Sequence, residues 1–270
     1  MGQASQRRSK FLANNPLCCF CGGVNASATV DHFPPRVIFT NRVWPEGFEF
    51  PACSDCNSRT RQIEQVVGLY AMLGEADSGP ERNKEFAKRL RGVRNNAPHL
   101  VPDPRTTANE KKKFIAMSGR ILPPGMTTAG LPLARFPKGI LSALAPFFAK
   151  LFCALYYRET GVIFPATGAI SVVFTTPDYV QSDDLEWFGR NLSGRRATRR
   201  GNRSISDQFS YFFELGEEGR VFAALMHIRK NLIVFVGGVA DRDIPETELE
   251  TGWYDIFGRK LHSSTKKENE

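Results

Sequence analysis

Secretion by the usual signal is not expected, because "MGQASQRRSKFLANNP" has two Arg and a Lys but no continuous apolar core behind them. The expectation is a cytoplasmic protein. A nucleotide-binding glycine loop is absent, and so is any internal repeat, which removes the P-loop, dinucleotide and solenoid classes. Long apolar runs are also scarce. Only "GILSALAPFFAKLFCALYY" (Gly139 to Tyr157) could tempt a membrane reading, and Pro146 and Lys150 interrupt it, so a buried helix is expected and no membrane partner. Acid is the minority charge, 28 Asp+Glu against 36 Lys+Arg for a net +8, a field that favours a polyanionic partner over an acidic protein's usual cationic ones. Histidine is rare at four residues, and His99, His227 and His262 have no metal-ligand company. His32 differs: it stands beside Asp31.

What is present suffices for a sizeable core, since 41% of the 270 residues are hydrophobic. Six cysteines are grouped rather than scattered. Cys18-x-x-Cys21 and Cys53-x-x-Cys56 are two chelating knuckles, and in a reducing compartment two such pairs read as one closed Cys₄ zinc site. Cys19 is an alternative to Cys18, although its one-residue gap to Cys21 suits a knuckle less well. Cys153 lies among aromatic and aliphatic neighbours and reads as a core residue.

Between the knuckles, "ATVDHFPPRVIF" reads as short extended segments, Thr29 and Val30 and then Val37 to Phe39, bent at Pro34-Pro35. After the second knuckle, Ile63, Val66, Val67, Tyr70, Ala71 and Leu73 recur at helical spacing, so one helix beginning near Cys53 is expected. The order is knuckle, hairpin, knuckle, helix. The elements "CCFCGG…ATVDHFPPRVIF…FPACSDCNSRT", over roughly residues 11 to 73, resemble the HNH endonucleases, in the branch whose ββα-metal unit is pinned by four zinc-binding cysteines.

That resemblance implies a treble-clef-like nuclease hydrolysing phosphodiester bonds, most readily in double-stranded DNA, with RNA left open. It implies structural Zn²⁺ on Cys18, Cys21, Cys53 and Cys56. Asp31 matches the acidic ligand of a catalytic Mg²⁺ or other divalent ion, His32 the general base, and Asn57 the second metal ligand. On a strand Asp31 and His32 would point to opposite faces, so joint work on one metal needs a bend there. The family's middle Asn falls on Phe48, with Asn41, Glu46 and Glu49 as nearby polar replacements. Glu64 reads either as an extension of the metal site or as a solvent-facing helix carboxylate. Arg36, Arg42, Arg59 and Arg61 flank the expected site and suit phosphate oxygens.

Residues 1–10 are expected to be disordered, 11–100 to form the nuclease domain with a basic helical extension, and 101–135 a connector. Residues 136–260 are expected to form an α+β domain, with 261–270 a disordered tail. In that second domain, runs at Ile170–Thr176, Gln208–Leu215, Arg220–Ile228 and Asn231–Val239 read as an antiparallel meander packed on the apolar helix. Its "RNLSGRRATRRGNR" loop carries Arg195, Arg196, Arg199 and Arg200 and reads as an electrostatic nucleic-acid contact or a disordered excursion, far from the expected active site. A homo-oligomer or a defence-system partner would meet the C-terminal domain, and phage defence or a mobile element is the expected setting. The rival reading is a non-catalytic Cys₄ zinc module that binds nucleic acid or protein, with Phe48 as its best support.

Overall fold

The computed structural model describes residues 2–73, 79–119, 121–122, 124–131, 133–177, 180, 186, 190–240 and 252–261. It is a mixed α+β structure. Helix α1 (Gln3–Asn14) occupies most of the stretch expected to be disordered and lies exposed; Arg8 donates to the Ala28 carbonyl. The first knuckle follows, closed by Cys18 N–H on Asn25 O and Gly23 N–H on Cys18 O. Gly22 sits there at φ +68°, and a Cβ on it would run into the backbone of Ala166.

Strands β1 (Thr29–His32) and β2 (Glu49–Ala52) pair antiparallel, with Asp31 opposite Phe50 and His32 opposite Glu49. A hairpin is present, but its second strand is Glu49–Ala52 rather than Val37 to Phe39, of which only Phe39 has extended backbone angles. Arg36–Ile38 and Thr40–Arg42 are single 3₁₀ turns after the cis Phe33–Pro34 bond. Helix α2 (Ser54–Arg59) starts on the second knuckle, with Cys53 as its N-cap. The single helix read from the sequence is broken at Thr60, after which α3 (Arg61–Tyr70) buries Val66, Val67, Leu69 and Tyr70.

The basic helix α4 (Pro80–Asn96) packs on α3. Within the expected connector, α5 (Ala108–Ser118) is held by a capping box of Thr107 and Glu110, the S/T-x-x-E pattern that satisfies two free backbone donors at a helix start. Helix α6 (Ile140–Thr160) is long and apolar enough to cross a membrane, yet most of it lies inside the protein.

Strand β3 (Ala169–Thr175) begins the large sheet. The arginine-rich segment forms β4 (Gly194–Ala197) and a small hairpin of β5 (Arg199–Arg200) and β6 (Arg203–Ser204), so it is no disordered excursion. Strands β7 (Phe209–Leu215), β8 (Val221–Ile228) and β9 (Leu232–Val239) form the antiparallel meander, and β10 (Trp253–Tyr254) closes the edge. The order is β10-β3-β9-β8-β7-β4. Helix α6 packs across β3 and β9, and Gly238 leaves room for the Phe152 ring, which a Cβ would meet at 2.2 Å. Beyond Leu261 the expected tail lies outside the described residues.

One hydrophobic core runs from the knuckles to the sheet. Phe33 packs against Phe147 of α6 in a tilted arrangement at 4.9 Å, and Phe48 packs edge-on to Phe209 of β7 at 5.6 Å. Polar ties follow the same route: Gln208 accepts from Thr40 N–H, Arg229 donates to Ile38 O, and Asn231 donates to Ala71 O. Apolar burial, not the covalent connection, therefore joins the hairpin to the sheet.

Candidate zinc centre and the His32 face

The Sγ atoms of Cys18, Cys21, Cys53 and Cys56 lie within 4.8 Å of one another, and all four residues are buried. A zinc ion with bonds of about 2.3 Å would hold four sulfurs about 3.8 Å apart, so only a small contraction is needed. Backbone amides already point at the sulfurs: Phe20 N–H at Cys18, Asn25 N–H at Cys21 and Cys56 N–H at Cys53, at 3.4 to 3.5 Å. Such donors stabilise thiolates around a metal. A hydrogen bond from Cys56 draws Cys18 down to about 5, while burial pushes Cys21 up. The residues fit zinc. Cys19 lies outside the cluster, and Cys153 is a fully buried core residue whose thiol burial pushes up to about 12.

Asp31 and His32 leave β1 on opposite faces and share no partner among the described contacts. Asp31 points inward and is buried, with its Oδ2 at 2.6 Å from Nζ of Lys150, an ion-pair contact rather than a well-angled hydrogen bond. Lys150 is wholly buried in α6 and also donates to Cys56 O at 2.9 Å and Thr60 Oγ1 at 3.1 Å. Asn57, in the second turn of α2, donates its amide to Thr29 Oγ1 at 2.7 Å. Thr29 and Asp31 share a strand face, so Asn57 is near that face but committed to Thr29. Glu64 is half-buried: it accepts from Thr60 Oγ1, and burial raises its carboxyl above the usual range. The divalent ion expected between Asp31 and Asn57 does not fit this donor set. An ammonium already holds the carboxylate.

His32 points outward, about a quarter exposed. Its Nε2 lies 3.0 Å from Arg36 Nη2 and 3.4 Å from Glu49 Oε1, and its ring meets Trp44 edge-on at 4.9 Å. Burial, then the Arg36 charge, lowers the imidazole below its ordinary value of about 6.5, against the opposing pull of Glu49. The neutral ring accepts from Arg36, which places its proton on Nδ1. Phe48, at the expected middle-Asn position, is a buried core residue under the Arg158 guanidinium and orients nothing polar. Of the three polar replacements, Glu49 reaches His32.

The arginine loop is not remote. Glu46 N–H donates to Arg199 O, Gly201 N–H donates to Glu46 Oε1, and Arg200 lies over Trp44 at 4.2 Å, across that ring's neighbourhood from Arg36 at 3.6 Å. Arg36 Nε and Trp44 Nε1 are buried with no hydrogen-bond partner, so two unsatisfied donors sit beside His32. The other expected phosphate ligands differ among themselves. Arg61, Arg195 and Arg199 are exposed, Arg196 is held by Glu159 at 2.9 Å, and Arg59 is half-buried over Phe257. Lys150, Thr60 and Trp44 were not singled out as site residues from sequence. A lone lysine inside an apolar helix was the available signal for the first.

Compared with known proteins, the chain matches no family model, no curated protein and no solved structure.

Proposed function

We propose that this chain is a zinc-pinned nucleic-acid hydrolase of the HNH type, which holds a phosphodiester of double-stranded DNA against the outer face of β1 and uses His32 as general base. One observation carries the reading. A neutral imidazole stands within hydrogen-bond reach of Arg36, with Arg200 brought to the same face by the β5–β6 hairpin. A phosphate oxygen would draw the Arg36 guanidinium to itself and free Nε2 to take a proton from water. The water oxygen then bonds phosphorus, the P–O bond to the leaving sugar breaks, and that oxygen takes a proton from solvent. Guanidinium groups stabilise the charge that builds on the phosphoryl oxygens. No step needs a metal at Asp31.

The non-catalytic zinc module remains the second reading, favoured by Phe48 buried in the core where a histidine-orienting residue was expected. Plasmid DNA and RNA incubated with zinc-loaded wild type and His32→Ala separate the two. Cleavage should fall by about 10²–10⁴-fold in His32→Ala with zinc content unchanged. Salt-dependent binding by both proteins without cleavage by either would select the module, and RNA cut in preference to DNA would change the substrate class.

Two further results are expected. Because His32 is shifted down, its base form persists to lower pH, so the acid limb of kcat/KM should lie below pH 6.5, with activity lost as pH falls through it. A limb above 6.5 would remove His32 from the role. For binding, Arg195→Ala and Arg199→Ala should each flatten the log K versus log[salt] slope by up to about 0.9 on duplex DNA. Arg196→Ala should change it little, since Glu159 already neutralises that guanidinium. Slopes equal to that of wild type in all three variants would show that this loop does not meet phosphates.

A further inference from the structure

We infer that Lys150 is the resident cation of the Asp31 site: its ammonium takes the place a divalent metal would hold, and closes that face of the hairpin to metal. The donors are those of a hard-cation site, being a carboxylate oxygen of β1, the Cys56 carbonyl of α2 and the Thr60 hydroxyl, at 2.6, 2.9 and 3.1 Å from Nζ. An ammonium has three N–H donors, and three oxygens face it. Mg²⁺ in the same place would demand near-octahedral oxygen ligands at about 2.0–2.1 Å, most of them water. The rings of Phe20 and Phe33, 5.0 and 4.8 Å from Nζ, offer their faces to this monovalent cation. A second cation beside Lys150 would also meet like charge at close range in a poorly solvated place.

The same ammonium joins three elements. It binds the carbonyl of a zinc-ligand residue, the buried acid of the hairpin and, through Thr60, the Glu64 carboxyl. The break between α2 and α3 at Thr60 is where that hydroxyl turns inward, and Thr60 is completely buried.

Mn²⁺ titration followed by electron paramagnetic resonance tests this on the zinc-loaded full chain. Mn²⁺ is the weakest competitor among the divalent first-row ions and leaves a Cys₄ zinc site alone. Wild type should leave the free Mn²⁺ signal undiminished at millimolar ion. Lys150→Ala that retains its zinc should gain one Mn²⁺ site, lost again in Lys150→Ala/Asp31→Asn. A wild-type Mn²⁺ site that Asp31→Asn removes would overturn the inference, as would a zinc-retaining Lys150→Ala that binds no Mn²⁺. Lys150→Met keeps the stem volume if the alanine variant loses zinc. Should both lose it, an absence of Asp31-dependent binding in wild type supports the inference by itself. The readout is metal binding, so a failure to cut DNA leaves it intact, and an Mn²⁺ site in wild type leaves His32 in its proposed role.

Discussion

Cys53→Ser should abolish zinc binding and, with it, cooperative folding of the whole chain rather than of the hairpin alone. Cys53 supplies a sulfur to the cluster and caps α2 through Cys56 N–H, so one substitution removes a ligand and a helix start. Structural zinc contributes about 10–16 kcal/mol in small Cys-rich units at neutral pH, comparable with or larger than the about 5–15 kcal/mol that stabilises an ordinary domain. The loss spreads because the knuckle cysteines belong to the same buried core as Phe147, Phe209 and Tyr211. Elemental analysis should find one zinc per wild-type chain and none in the variant, and the variant should melt without a sigmoidal transition. A wild-type protein that is folded and free of zinc would refute the centre.

Asp31→Ala should destabilise the fold by about 3–5 kcal/mol, the usual cost of leaving one member of a buried ion pair alone. Lys150 is wholly buried, and its remaining partners, Cys56 O and Thr60 Oγ1, carry no formal charge to balance it. In urea the midpoint should fall with little change in slope. Added Mg²⁺ or Mn²⁺ should restore nothing, and Asp31→Ala/Lys150→Met should recover part of the loss by removing the stranded charge. A metal-ligand aspartate would behave in the opposite way, leaving stability nearly unchanged and responding to metal. If Asp31→Ala unfolds at the wild-type midpoint, the ion pair does not stabilise the fold.

The cysteine cluster was legible because ligand spacing is local: four cysteines in two pairs specify their own geometry wherever the chain goes. The meander was legible for a related reason, since Val, Ile and Phe runs separated by "GEEG" and "RKN" carry their pairing in their order. What could not be read were meetings between distant segments. Asp31 and His32 are neighbours, which suggested joint work, but strand alternation separates them, and the partner of each was set by tertiary packing. Lys150 counted in the sequence only as an interruption of an apolar run, because nothing local says that a carboxylate on another element waits for it. Likewise, the arginines at 199 and 200 looked remote until Glu46 and Trp44 were seen to receive their hairpin. Phe48 shows the reverse. Its mismatch with the family pattern was plain in the sequence, but only the Phe209 and Tyr211 rings around it say what it does instead.

The ammonium supplied by α6 bears on how this protein can be cut into parts. A fragment ending near residue 100 would keep all four clustered cysteines and the whole of the family-like stretch, and yet strand Asp31 in an apolar setting and bare the faces of Phe33 and Phe48. Deletion mapping would then score the first hundred residues as inactive for reasons unrelated to their chemistry. The hairpin is not portable. Fusions, domain swaps and comparisons among similar chains should carry α6 and the arginine hairpin along with the cysteines, and inheritance of this site should follow the pair Asp31 and Lys150 together.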